Sequence, residues 1–244
     1  MGLLDGKLAV ITGGSRGIGK AIAKAYIAQG AKVVIADIDL ETAQNTAKEL
    51  GEAAHAIQLN VADKKDVYDK TDQIWSQFGK VDIWVNNAGI SQQIPFEELE
   101  EDWWDRIMEV DLKGVFLCSQ ANFIKMKEHG GGKFVNISSM AGERGGKVSG
   151  AHYSAAKGGV NTLTKVVALN GGSYGITANA ITPGLIMTQM AIDLGWANEE
   201  HNDIPLGRLG TPDDIANVAV FLGSSLSDYV SGDIIKVNGG MYMG

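Results

Sequence analysis

The chain is expected to fold as a single α/β domain, a doubly wound parallel sheet with helices on both faces. Three observations lead to this class. Short β-branched runs alternate with helix-period patterns from end to end, as in strand–helix–strand units. No linker, internal repeat or low-complexity tract interrupts the alternation, so the 244 residues read as one domain, 1–244. Apolar residues make up 45% of the chain, enough for a large core, and 32 glycines suit tight turns and close backbone approaches.

Taken in order, Leu8–Thr12 is a strand and Ile18–Gln29 a helix, joined by the turn Thr12–Gly19. Lys32–Ala36 and Leu40–Leu50 repeat the unit, as do Ala54–Leu59 and Lys65–Phe78. Asp82–Val85 is a strand that runs out into Asn86-Asn87-Ala88-Gly89. A long helical pattern covers roughly Glu101 to Lys127. After the glycine turn 130–132 come a strand at Lys133–Ile137, a helix at Tyr153–Leu169 and a strand at Thr177–Ile181. Pro212–Leu222 is a helix with proline in its first turn and Thr211 as its N-cap. Ile234–Val237 is the last strand.

A net charge of −8 disfavours nucleic acid and anionic membranes as partners. The four histidines show no pair at metal-ligand spacing, so no metal site is expected. Cys118 is the lone cysteine, set in an apolar run, and reads as a buried structural thiol. The first residues lack the basic and apolar regions of a signal peptide, Gly6 stands where a myristoylation motif needs Ser or Thr, and no apolar run approaches membrane-spanning length. A cytoplasmic protein is the expectation.

The turn Thr12–Gly19 follows an apolar strand and opens a helix, the context of a dinucleotide fingerprint. Gly13 permits the turn, Gly17 lets a pyrophosphate approach the backbone, and Gly19 lets helix pack on strand. Asp37 ends the second strand about 20 residues on, where a carboxylate accepts hydrogen bonds from an adenosine ribose and repels a 2′-phosphate. That favours NAD over NADP. Arg16 is the counter-signal, since its guanidinium could reach a 2′-phosphate. The other reading of Asp37 is an N-cap for Leu40–Leu50, to which Asp39 has equal claim.

Tyr153 and Lys157 lie four residues apart and share a helix face. An ammonium beside a phenol lowers its pKa, and such a phenol can exchange a proton with a hydroxyl or carbonyl near neutral pH.

Together these residues resemble the short-chain dehydrogenases/reductases over essentially the whole chain. The matching pieces, in order, are Thr12–Gly19, Asn60-Val61-Ala62-Asp63, Asn86-Asn87-Ala88-Gly89, Ser139, Tyr153 with Lys157, Asn179, and Pro183-Gly184. The resemblance implies a Rossmann-type sheet of seven parallel strands and a homotetramer. It implies Tyr153 as acid/base, Lys157 on the nicotinamide ribose, and Ser139 on the substrate oxygen, with Ser138 in reserve. The cofactor would further meet Ser15, Ile18, Asn60, Val61, Asn87, Ala88, Gly89, Pro183, Gly184, Ile186 and Thr188. One departure stands out. Asp111, in Val110-Asp111-Leu112, replaces the family's fourth catalytic residue, an Asn. Its charge near Lys157 would offset the ammonium's pull on Tyr153 and shift the pH optimum, unless it is solvated or helix-bonded.

The substrate is expected to be a small alcohol or ketone. Candidate contacts are Gln92, Gln93, His152 and Trp196, with the loop at about 187–206 as cover. Arg144 reads either as an anion clamp or as a solvated surface arginine. The end of the chain resembles the β-ketoacyl-carrier-protein reductases, a second reading weakened by Glu128 within the basic run 125–129. A non-catalytic nucleotide-sensing scaffold is the third.

Overall fold

The computed structural model describes residues 2–146, 149–193 and 203–244. Its strands are β1 (Leu8–Thr12), β2 (Lys32–Asp37), β3 (Ala54–Gln58), β4 (Ile83–Asn86), β5 (Gly132–Ile137), β6 (Ile176–Pro183) and β7 (Ile234–Val237). They form one parallel sheet in the order β3-β2-β1-β4-β5-β6-β7. The order reverses between β1 and β4. Such a reversal leaves a crevice beyond the carboxyl ends of the strands, where ligands bind in this architecture.

Period-two alternation assigns the core. Ala9, Ile11, Val33 and Ile35 face one side, against Ile22, Ala23 and Tyr26 of α1 (Gly17–Ala28). Val10, Val34 and Ala36 face the other, against Ile74 and Trp75 of α3 (Lys64–Phe78). Full burial of residues such as Ile11, Ile22 and Ile35 stabilises by about 1.5–3 kcal/mol each. Cys118 is buried in the second core, and burial pushes its thiol up to about 12. No helix among the described residues is long and apolar enough to cross a membrane.

Caps set several helix starts. Asp39 caps α2 (Leu40–Leu50) by accepting from the Thr42 amide, and Asp63 caps α3 in the same way. Thr211 and Asp214 form a reciprocal capping box on α9 (Pro212–Gly223), and Arg208 forks onto the Asp214 carboxylate at 2.7 and 2.9 Å. Thr211→Ala is expected to cost about 1 kcal/mol, read as a lower urea midpoint at unchanged slope.

The long helix expected over 101–127 is divided. α4 (Glu101–Ile107) passes into a π-helical turn, Met108–Lys113, before α5 (Gly114–Glu128). Hydrophobic periodicity does not register one widened turn, and such turns mark functional sites. Here the turn carries Asp111 into the interior, at zero exposure. The short helix α6 (Ala141–Arg144) was not anticipated. α7 (Gly150–Gly171) begins three residues before the expected Tyr153, which places that tyrosine in its first turn. A short α8 (Gln189–Asp193) precedes α9.

Candidate active site

A cavity of about 870 Å³ lies over the carboxyl ends of the strands. Its volume falls within the usual range for small-molecule sites. One wall is the turn after β1, where Gly13, Arg16, Gly17 and Ile18 line the space. Gly13 and Gly17 hold φ of 60° and 54°, a backbone that favours glycine. A Cβ on Gly19 would lie 2.3 Å from the Gly13 carbonyl oxygen and 2.5 Å from Asn87 Nδ2. Gly19 therefore packs against the turn and the β4 loop rather than against the strand. α1 starts at this wall with no side-chain cap and no acid in its first turn, unlike α2, α3 and α9. Its free amides and positive end suit a pyrophosphate, so the residues present fit a dinucleotide.

Asp37, at the end of β2, also lines the cavity. Its Oδ2 accepts from the Ser15 hydroxyl at 2.5 Å and the Ser15 amide at 3.2 Å. Capping of α2 falls to Asp39 instead. Ser15 is buried under the turn and does not line the cavity; its part is to hold Asp37 in place. Asn60, Val61, Asn87, Ala88 and Gly89 line the same side. Asn87 Nδ2 donates to the carbonyls of Thr12 and Gly13, both at 2.9 Å, and Thr12 Oγ1 accepts from the Asn87 and Ala88 amides. These bonds tie β1 to β4 at the point where the sheet order reverses.

The far wall carries Ser139, Tyr153, Lys157 and Asp111. Ser139 and Tyr153 face the same space, and the Ser139 hydroxyl accepts from the Ala141 amide at 3.1 Å. Lys157 Nζ lies 5.5 Å from the Tyr153 ring centroid and donates to the Ile137 carbonyl at 3.2 Å. It also lies 3.1 Å from Asp111 Oδ2, while Asp111 Oδ1 accepts from the Ile90 amide at 2.8 Å. The Lys157–Asp111 contact is an ion pair rather than a well-aligned hydrogen bond, since Oδ2 has no hydrogen-bond partner. A Cβ on Gly89 would stand 2.7 Å from Oδ2 and 3.3 Å from Nζ, so glycine there lets the loop close over the pair. Ser138 turns away and donates to the Lys157 carbonyl at 3.0 Å. Pro183, Gly184, Ile186 and Thr188 complete the rim after β6, with the Thr188 hydroxyl capping α8 through the Ala191 amide.

The family model described as Enoyl-(Acyl carrier protein) reductase matches residues 13–242 of this chain. The chain belongs to the short-chain dehydrogenases/reductases. It is 37% identical over 254 residues to a sorbitol dehydrogenase of Cereibacter sphaeroides, covering 98% of this chain and 99% of that one. It is 39% identical over 245 residues to a 3-oxoacyl-acyl-carrier-protein reductase of Vibrio cholerae, covering 98% and 99%. The solved structure of a proposed gluconate dehydrogenase from Agrobacterium tumefaciens superposes with a TM-score of 0.92 at 36% identity, covering 98% and 96%.

The electrostatics of this short-chain dehydrogenase/reductase differ from the sequence expectation at one point. Lys157 does pull the Tyr153 phenol down, and the nearby Ser139 hydroxyl adds a smaller pull, but burial pushes it up more strongly and Asp111 adds to the push. Tyr153 therefore stands above its ordinary value. For Lys157, burial acts downward, yet Asp111 and then Tyr153 outweigh it, and the ammonium is held above its ordinary range. Burial raises the Asp111 carboxyl against the attraction of Lys157 and the Ile90 amide. With an ammonium at 3.1 Å and an amide donor at 2.8 Å, the geometry is that of a carboxylate paired with a cation.

Of the expected substrate contacts, Arg144 lines the cavity. Gln92, Gln93 and His152 do not. His152, near the start of α7, is wholly buried, with its ring against Gly150 and within the field of Asp111. Trp196 and most of the expected cover loop lie outside the described residues. Two features went unread in the sequence. Arg106 of α4 lines the cavity one turn before Val110. A buried polar ladder joins Trp84, Asn86, Asn136 and Thr164 across the sheet, with bonds of 2.8–2.9 Å. Only the pairing of β4 with β5, which sets Asn86 beside Asn136, reveals it.

Proposed function

We propose that the enzyme transfers a hydride between NAD and a small secondary alcohol or ketone, with Tyr153 as the acid/base. The observation that carries this reading is the single cavity that brings Ser139, Tyr153 and Lys157 together with the uncapped α1 terminus and Asp37. When bound, NAD supplies the hydride acceptor or donor. Ser139 and Tyr153 hold the substrate oxygen, and Tyr153 moves its proton, a role worth about 10²–10⁴-fold. Lys157 offsets part of the burial that raises the phenol. The likeness to a sorbitol dehydrogenase agrees with a small hydroxylated substrate. The exposed Phe116 and Ile124 of α5 and Val166 and Leu169 of α7 suit a homotetramer interface. A cytoplasmic setting is consistent with a free buried thiol. The test is absorbance at 340 nm with NAD and NADP against secondary alcohols, polyols and aromatic carbinols, and in reverse with ketones and an acetoacetyl thioester. Turnover of the thioester alone, with NADPH preferred, overturns the reading.

Preference for NAD rests on Asp37. Asp37→Ser is expected to lower the ratio of kcat/KM for NAD over NADP by about tenfold or more, which is about 1.4 kcal/mol. Steady-state kinetics with both cofactors at one substrate concentration measure it, and an unchanged ratio removes Asp37 as the discriminator.

The carrier-protein reductase reading is the alternative, and the Vibrio cholerae relative favours it. Docking an acidic carrier requires a free basic patch. In the run 125–129, Lys125 pairs with Asp72 at 2.7 Å and Lys127 lies 4.4 Å from the Tyr174 ring centroid. Both cations are already engaged, so the small-alcohol reading ranks first.

A further inference from the structure

The chain has four arginines, and three of them, Arg16, Arg106 and Arg144, line the cavity. The fourth, Arg208, is held by Asp214. Among the described lysines only Lys157 lines it. A protein of net charge −8 thus gathers its guanidiniums at one site, and the guanidinium is the side chain shaped to grip a planar anion with two parallel bonds. Arg16 belongs to the glycine turn, at the dinucleotide end. Arg144 belongs to the other end. It closes α6, which starts two residues after Ser139 and leads toward Tyr153. Its neighbour Glu143 is already paired with Lys236 at 3.1 Å, whereas Arg144 is exposed and makes no ion pair among the described residues. Three acids line the same cavity: Asp37 at the dinucleotide end, Asp111 paired with Lys157, and Asp203, which an incoming anion must avoid.

From this arrangement we infer that the substrate is a hydroxy acid whose carboxylate is gripped by Arg144 while its carbinol sits between Ser139 and Tyr153. The inference rests on the hydride-transfer reading above and narrows its substrate class. Ser139 and Arg144 stand five residues apart and line the same cavity, so acids of a few carbons are the length to test. Arg106, on α4, adds positive potential at the same cavity without a partner of its own among the described residues.

The test compares hydroxy acids of about three to six carbons with their neutral amides, using NAD and the intact enzyme. The expected result is a preference for the acid that falls at least tenfold in Arg144→Ala, carried by KM, with part of it restored in Arg144→Lys. Comparing the ratio for acid and amide within each variant separates lost anion recognition from general damage. A wild-type preference for the amides, or an equal loss for both in Arg144→Ala, overturns the inference. So does a preference for the sulfonate or phosphate ester that bears the same carbinol. If no alcohol is turned over, calorimetric titration of 3-hydroxybutyrate in the presence of NAD still decides. Binding that is lost in Arg144→Ala keeps the anion site while the hydride-transfer reading fails, and no binding to the wild type rejects both.

Discussion

Tyr153→Phe is expected to lower kcat by about 10²–10⁴-fold while leaving cofactor binding in place. The phenol lines the cavity beside Ser139, with Lys157 Nζ 5.5 Å from its ring centroid. Removing its oxygen deletes the proton path, while the turn at Gly13–Ile18 and Asp37 stay as they are. The ring is half-buried, so a phenylalanine fits the same space and folding is retained. Two measurements check this: turnover at 340 nm and titration of NADH by fluorescence. Activity within tenfold of wild type, with normal NADH binding, removes Tyr153 from the chemistry. The same pair of measurements separates an enzyme from a nucleotide-sensing scaffold, which binds NADH without turnover in the wild type.

Asp111→Asn is expected to move the pH dependence of alcohol oxidation to lower pH. Oxidation requires the phenolate, so kcat/KM rises as Tyr153 ionises. Asp111 raises the Tyr153 value through its negative charge, and a neutral amide at the same place removes that push. A profile that superimposes on the wild type shows that the two groups are not coupled. Stability changes as well. Removing one partner of a buried pair leaves Lys157 without its counter-ion, at about 3–5 kcal/mol, and the retained oxygen facing the Ile90 amide favours the lower end. The sign follows from both groups. Lys157 is raised in the fold, so the pair's contribution is present below the ordinary lysine value and fades as pH rises through the higher folded one. Asp111 is also raised, so its contribution too is fullest below the ordinary carboxylate value and falls as pH rises through the higher folded one. The gap between wild type and Asp111→Asn, measured by urea unfolding, is therefore widest at low pH and narrows as pH rises, first through the Asp111 range and then through that of Lys157.

Local rules made much of the fold legible. Strand alternation, the turn before α1 and the Thr211 cap are written in contiguous residues, and periodicity depends only on neighbours along the chain. Tyr153 and Lys157 were readable for the same reason, because one helical turn joins them. Ser139 needed the resemblance, since fourteen residues and a connecting loop separate it from Tyr153. His152 shows where such rules stop. Its sequence neighbourhood placed it beside the substrate, yet at the start of α7 it is buried behind the cavity wall, within the field of Asp111.

The sequence by itself determined the strand–helix order, the turn that suits a dinucleotide and the Tyr153–Lys157 pair, because each depends on spacing within a few residues. Only the tertiary structure decided which distant groups meet. It set Ser15 on Asp37, widened the helix at Met108–Lys113 so that Asp111 reaches Lys157, and brought Arg106 and Arg144 to one cavity. Those meetings follow from sheet order and helix packing, which sum weak contacts over the whole chain and leave no local pattern to read.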